Sequence, residues 1–413
     1  MQALVYEKSF PRIAATRLLA ALGPRAYVGR LAPMQLRQVP EPVLPADDWL
    51  VLRTHLCGIC GSDAKQVFLN GGIDNPMTAL VSFPQVLGHE VVGTVERVGP
   101  AVRTRRPGER VLLNPWLSCA TRGLPPCAWC QRGELAQCLG FRAGALAPGI
   151  HHGNSRHATG GFAIRLPAHE SQCLPLPAEI PDDVAVLADP FSVSLHAILR
   201  NPPEGRFALV YGCGTLGLLA VAILRLLHPE VRVLAVARFG HQADLARRFG
   251  AERVFAHAPT RRLVSEVAAA VGAEELVPWR GLPMLNGGVD VVYDTVSSPE
   301  TLEVGVRVAR SRAHLVALGV EPPRRFEWTP LYFKELRLTG SNAFGIEEHA
   351  GRRQHAMAWY LEWVAQGRVD ATPIVTHRFA LPAWRQAFLA LADPARSGAV
   401  KVLFDFGEGG VQR

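Results

Sequence analysis

The chain has 413 residues, 48% of them hydrophobic and 19% charged, with 44 lysines and arginines against 36 aspartates and glutamates, a net charge of +8. That length makes two or three domains, each able to bury a core, and the composition excludes a chain that is mainly disordered. The 38 glycines and 32 prolines follow no period, which excludes collagen-like and solenoid architectures, and no basic run is dense enough for a nucleic-acid-binding arm.

In chain order, the opening Met1-Gln-Ala-Leu-Val-Tyr-Glu-Lys8 has no apolar run of signal-peptide type, so secretion is not expected. Residues 10–38 carry Arg12, Arg17, Arg25, Arg30 and Arg37 with no acid, which predicts a basic helix in a surface insertion at about 10–33. Short apolar runs at 49–52, 91–98 and 110–113, separated by turn signals, predict a β-rich first third. From about 205, apolar runs (207–211, 231–237, 289–294, 314–318) alternate with helical stretches (216–227, 242–249, 301–309). That alternation predicts a parallel sheet with helical crossovers. A helix over 349–366 and a strand over 399–406 close the chain. Residues 207–224 contain no charge and just reach membrane-spanning length, but the three glycines within them argue for a buried strand, turn and helix.

Those glycines, Gly212, Gly214 and Gly217, form G-x-G-x-x-G between the predicted strand and helix. The spacing gives a tight turn, lets backbone approach a pyrophosphate, and packs helix against strand with the helix N-terminus facing the phosphate charge. The following strand ends in Ala237-Arg238, where dinucleotide-binding folds commonly place an acid for the ribose 2′-hydroxyl of NAD. An arginine there favours a 2′-phosphate, hence NADP, with NAD as the alternative.

Six of the eight cysteines lie between positions 57 and 138. Clustered thiols outside a secretory context point to metal ligands in a reducing compartment. Cys119, Cys127, Cys130 and Cys138 can close a tetrahedral zinc shell of structural type. A second set combines Cys60 with His89 and one further ligand, leaving a place open as catalytic zinc requires. A zinc ribbon built on Cys57/Cys60 and Cys127/Cys130 is the rival reading. It gives no role to His89, Cys119 or Cys138.

Cys60-Gly-Ser-Asp63, Gly88-His89-Glu90, Pro107-Gly-Glu-Arg-Val111, the thiol loop, the glycine turn and Arg247-Arg-Phe-Gly-Ala251 together resemble the zinc-dependent medium-chain alcohol dehydrogenases, in their sorbitol- and threonine-dehydrogenase-like branch. The resemblance implies an α/β chain: a GroES-like β-rich catalytic domain over 1–190 with a return over 346–413, and a Rossmann doubly wound parallel-sheet domain over 191–345. It implies Cys60 and His89 as catalytic zinc ligands, with Glu90 as a neighbouring acid. Asp189 stands where sorbitol-like members have a glutamate ligand; alternatively it is only a helix cap before Pro190. Ser62 matches the hydroxyl that takes the substrate proton, while Lys65 stands where many members continue the relay with histidine. Gly212, Gly214, Thr215, Leu216, Gly217 and Arg238 form the expected cofactor set. The expected chemistry is hydride transfer between an alcohol, by preference a polyol or secondary alcohol, and NAD(P); primary alcohols or aldehydes are the second choice. Two zinc ions, a cytoplasmic homodimer or homotetramer, and no nucleic-acid or membrane partner complete the expectation. A zinc-free quinone reductase and a catalytically inactive zinc-binding module remain as alternatives. Substrate choice is expected to depend on loops 68–80 and 341–348.

Overall fold

Alternating and fully apolar strand patterns set the layout of the chain. The computed structural model describes residues 1–72, 74–321 and 326–407, so residue 73 of the expected pocket loop 68–80 lies outside the described residues. Contacts divide the chain into two units, one comprising 1–189, 357–365 and 370 onward, the other 190–356 with 366–369. The hairpin after 345 thus goes with the second unit, and the chain re-enters the first at Met357 rather than at 346.

In the first unit, the long strand Trp49–Gly58 pairs antiparallel with Glu90–Val98, Arg165–His169 and the C-terminal strand Lys401–Asp405. This register matters for chemistry. It places Gly58 opposite both Glu90 and Leu403, and Ile59 N–H donates to Val402 O at 2.9 Å. Segments more than 340 residues apart therefore meet at the end of one strand, beside Cys60. Leu50, Leu52, Val91, Val111, Phe162, Trp384, Phe388 and Phe404 fill the core beneath the sheet. Gly58 is required by close approach: a Cβ there would sit 1.9 Å from Glu90 Oε2 and 2.9 Å from Lys401 Cε.

The basic insertion is a helix, Phe10–Leu19, capped by Ser9 and followed by two short 3₁₀ turns. Its arginines are partly used internally. Arg12 donates to the carbonyls of Arg30 and Ala32, and the Thr16 hydroxyl to Leu31 O, so the excursion closes on itself before the strand Met34–Gln38.

The second unit contains a six-stranded parallel sheet. Its spatial order is Arg253–Ala256, Arg232–Ala237, Phe207–Tyr211, Val289–Asp294, Ala309–Ala317, Arg337–Gly340. Order reverses on either side of Phe207–Tyr211, the first of these six strands in chain order, which is the switch point where such sheets bind nucleotides. All five residues of that strand are buried, as a strand covered on both faces must be. The uncharged run 207–224 is therefore a strand, a turn and the start of the helix Thr215–Leu227. No helix among the described residues is long and apolar enough to cross a membrane.

Two hairpins were not legible in the sequence. Glu274–Leu276 pairs with Met284–Asn286, and Ile346–His349 pairs with Arg352–His355. The second replaces the front of the helix expected over 349–366, which begins only at Ala356 and ends at Ala365. The cause is local: Ala350 and Gly351 take positive φ (49° and 73°), a two-residue turn that no α-helix can pass through.

Candidate active site

Cys60 ends the central strand and caps the helix Gly61–Val67, its N–H donating to Asp63 Oδ2 at 3.1 Å. Ser62 is exposed on the first turn of that helix, and Lys65 stands half-buried three residues further along. His89 and Glu90 arrive on the neighbouring strand. One ligand atom from each of Cys60, His89 and Glu90 lies within 4.8 Å of the others. Asp189, in the first turn of the helix Ala188–Arg200, is buried and falls outside that group of three, yet it feels the charges of His89, Glu90, Lys401 and Asp63. It sits inside the helix, which removes the reading of it as a cap preceding Pro190.

Three partners of this cluster had no part in the sequence expectation. Asp63 Oδ1 lies 3.7 Å from His89 Nδ1. The His151 ring centroid is 4.4 Å from that of His89, and its Nδ1 is 2.6 Å from His152 O. Lys401, fully buried, forms an ion pair with Glu90 and donates to Ile59 O at 3.2 Å. Asp63 carries a signal in its position, three residues after a helix cap, whereas nothing local marks Lys401.

The electrostatics follow from burial. Desolvation, with Glu90 and Asp63 adding to it against His89 and Lys401, pushes the Asp189 carboxyl up to about 7. Burial opposes a charged His89, yet the Asp63 and Cys60 charges outweigh it and hold the imidazole well above its ordinary value. Burial likewise opposes a charged Lys401, and Glu90, Cys60 and Asp189 together outweigh it. Among the described residues, His89 Nδ1, Glu90 Oε2 and Asp189 Oδ2 are buried without a hydrogen bond, Glu90 Oε2 being the oxygen that faces the Lys401 ammonium. A soft thiolate, an imidazole and a carboxylate, with buried ligand atoms left unsatisfied, suit a zinc ion.

A second cluster is formed by Cys119, Cys127, Cys130 and Cys138, whose sulfurs all lie within 4.8 Å of one another. All eight cysteines are free thiols. Backbone N–H groups point at the sulfurs, from Cys127 to Cys119 at 3.4 Å and from Gly140 to Cys138 at 3.2 Å, as expected where thiolate charge must be held. Cys57 belongs to neither group; it is buried and its thiol faces Gly58 O at 3.6 Å.

In the second unit, Gly212 follows Tyr211 with φ +94°, and a Cβ on Gly217 would lie 1.7 Å from Gly212 O, so helix and turn can close only on glycine. A Cβ on Gly214 would meet nothing within 4 Å; the space before the N-terminus of helix Thr215–Leu227, with Thr215 and Leu216 in its first turn, is open to a phosphate. Arg238 follows the strand Arg232–Ala237, exposed and stacked over Phe239 with its guanidinium 5.5 Å from the ring centre. His257, at the end of the adjacent strand, lies 3.1 Å from the Tyr211 hydroxyl. Burial, then the Arg238 charge, hold its imidazole below the ordinary value.

The pattern of the alcohol dehydrogenase GroES-like domain matches residues 46–178, and that of the zinc-binding dehydrogenase domain matches residues 215–365. An L-threonine 3-dehydrogenase of Anaeromyxobacter dehalogenans is 30% identical over 373 residues, covering 89% of this chain and 94% of its own length. The chain belongs to the zinc-dependent medium-chain alcohol dehydrogenases. A (R,R)-butanediol dehydrogenase of Saccharomyces cerevisiae is 28% identical, covering 75% of this chain and 80% of its own. Among solved structures, a protein of Sinorhizobium meliloti described as a zinc-binding dehydrogenase and bound to NADP is 27% identical, with a TM-score of 0.67 over 90% of this chain and 95% of that one. As a family member, the protein is an NAD(P)-dependent oxidoreductase of the alcohol dehydrogenase type, with a GroES-like and a Rossmann domain.

Proposed function

We propose that this dehydrogenase oxidises a secondary alcohol or polyol, or reduces the corresponding ketone, with NADP as the preferred cofactor. The observation that carries the reading is the Cys60–His89 pair with two carboxylates of unequal state. Glu90 is ion-paired with Lys401, whereas Asp189 Oδ2 has neither an ion pair nor a hydrogen bond among the described residues. Cys60, His89 and Asp189 are therefore assigned to the catalytic zinc, and the four thiols to a structural one. When bound, the zinc supplies Lewis acidity toward the alcohol oxygen, and the nicotinamide accepts the hydride with its electron pair.

The chain's own residues do the rest. Asp63 orients the His89 imidazole, and Lys401 holds Glu90 in an ion pair. Ser62, in the exposed first turn beside Cys60, accepts the hydroxyl proton of the substrate. Gly212, Gly214 and Gly217, with Thr215 and Leu216, cradle the pyrophosphate, and Arg238 pairs with the 2′-phosphate where no acid is present to hold a free ribose hydroxyl.

The substrate class is supported by the relatives named for threonine at C3 and for butanediol, compounds whose reacting hydroxyl sits on a secondary carbon beside another polar group. Eight free thiols suit a reducing cytoplasm. A second copy of the chain is assigned to the outer sheet strand Arg337–Gly340, where Leu338 is exposed, and to the preceding helix Thr329–Phe333, where Tyr332 and Phe333 are exposed, giving a homodimer. A panel of polyols, secondary alcohols and primary alcohols, read by cofactor absorbance with NADP and NAD in parallel, tests the reading. Secondary alcohols with NADP should give the highest kcat/KM. Preference for primary alcohols, or for NAD, overturns the corresponding part.

A further inference from the structure

Arg122 lies in the long step between the first two cysteines of the thiol loop and is only 1% exposed. Its guanidinium is aimed wholly at backbone. Nε donates to Leu117 O at 3.0 Å, one terminal nitrogen to Ala143 O at 2.9 Å and Leu146 O at 3.2 Å, and the other to Ala147 O at 3.4 Å and Gly149 O at 2.6 Å. Among the described residues no carboxylate forms an ion pair with it. This is unusual, because a guanidinium keeps its charge at any pH the protein meets and a buried charge is ordinarily paired. Carbonyl dipoles satisfy its donors but cannot neutralise it. Arg122 ends the 3₁₀ turn that Cys119 caps, its N–H donating to Cys119 O at 3.1 Å, and the thiols of Cys138 and Cys119 act on its charge.

We propose that Arg122 is the built-in counter-cation of the four-thiol centre, a positioning residue that makes a doubly negative zinc–thiolate group tolerable inside the protein and is itself tolerable only while that group is there. The inference rests on the reading that the four thiols hold zinc. Four thiolates around a divalent ion leave two negative charges, and Arg122 offsets one of them. The electrostatics agree. Burial brings the guanidinium down to about 10, and Cys138 and Cys119 act in the opposite direction. The same side chain ties the loop's two ends, since the carbonyls it binds lie at 117 and between 143 and 149. Folding of the loop, burial of the cation and retention of the metal thus become one event.

The test counts zinc with a chromophoric chelator in the full chain, in a Cys60→Ala background so that release reports the thiol loop alone. The parent should hold one zinc there; none would overturn the metal reading, and this inference with it. Arg122→Gln removes the charge and should weaken zinc retention about 10–100-fold, the range for residues that support metal ligands. Arg122→Lys keeps the charge with fewer donors and should stay within about threefold of the parent. Unchanged retention in Arg122→Gln overturns the role of Arg122 while leaving the zinc site standing. Equal losses in the glutamine and lysine variants show that donor geometry, not charge, is at work, and also overturn it. If Arg122→Gln does not fold, Arg122→Lys decides: retention near the parent's supports the proposal, and a loss beyond about tenfold defeats it.

Discussion

On the proposed zinc assignment, the two thiol-bearing regions of the first unit turn cysteine to opposite ends. The loop at 119–138 offers four sulfurs and faces a cation, Arg122, whose bonds all go to backbone. The site at Cys60 offers one sulfur, one imidazole and carboxylates, and its cation, Lys401, is already spent on Glu90. The first arrangement is closed: every ligand is protein, and the surrounding hydrogen bonds fix the loop. The second leaves a place for substrate and keeps Glu90 beside the proposed ligands in its ion pair. On the proposed assignment, a structural and a catalytic centre differ in their ligand sets and in what the buried cation is bonded to.

The comparison can be broken most forcefully at the ligands. His89→Ala should lower kcat/KM by at least about 1000-fold while the thiol-loop zinc and the melting temperature are kept, as metal analysis and calorimetry will show. Cys127→Ser should do the reverse, cutting resistance to heat and chelator while kcat per remaining catalytic zinc changes little. Lys401→Met tests the other cation. It leaves Glu90 buried and unpaired, and denaturant titration should show a loss of about 3–5 kcal/mol. Adding Glu90→Gln should recover much of that loss, and failure to do so would remove the ion pair as its cause. Ser62→Ala should reduce kcat about 100-fold without altering metal content or stability. The smallest effect is expected in the second unit, where Arg238→Ala should raise KM for NADP about tenfold and leave KM for NAD within about twofold. Equal changes for both cofactors would refute the 2′-phosphate assignment.

Ligand spacing and the glycine turn made much of this molecule readable from its sequence. Cys60, His89 and the four thiols stand out by residue type, and the structure gathers Cys60 with His89 and the four thiols with one another; Gly212, Gly214 and Gly217 stand out because the turn demands them. Strand–helix alternation after 205 likewise matches the parallel sheet. Lys401 and Arg122 could not be read this way. Lys401 is 342 residues from its backbone partner at Ile59 and reaches the site only through the register of the last strand against Trp49–Gly58. In sequence, Arg122 looks like any surface arginine; only a fold that brings 117 and 143–149 around it shows that it is buried. The expected helix from 349 failed for a different reason. The residues His349 to His355 suit a helix in composition, but the Ala350-Gly351 turn overrides propensity and folds them back as a hairpin.

The central claim is that hydride transfer depends on a zinc held at Cys60, His89 and Asp189. Its most direct test is zinc content and cofactor reduction measured on the same samples of wild-type and Cys60→Ala protein, before and after chelation and again after zinc is restored. The account predicts two zinc ions per wild-type chain and one per Cys60→Ala chain, with turnover only in wild-type samples whose Cys60 site carries zinc. Full activity in zinc-free Cys60→Ala protein would contradict it.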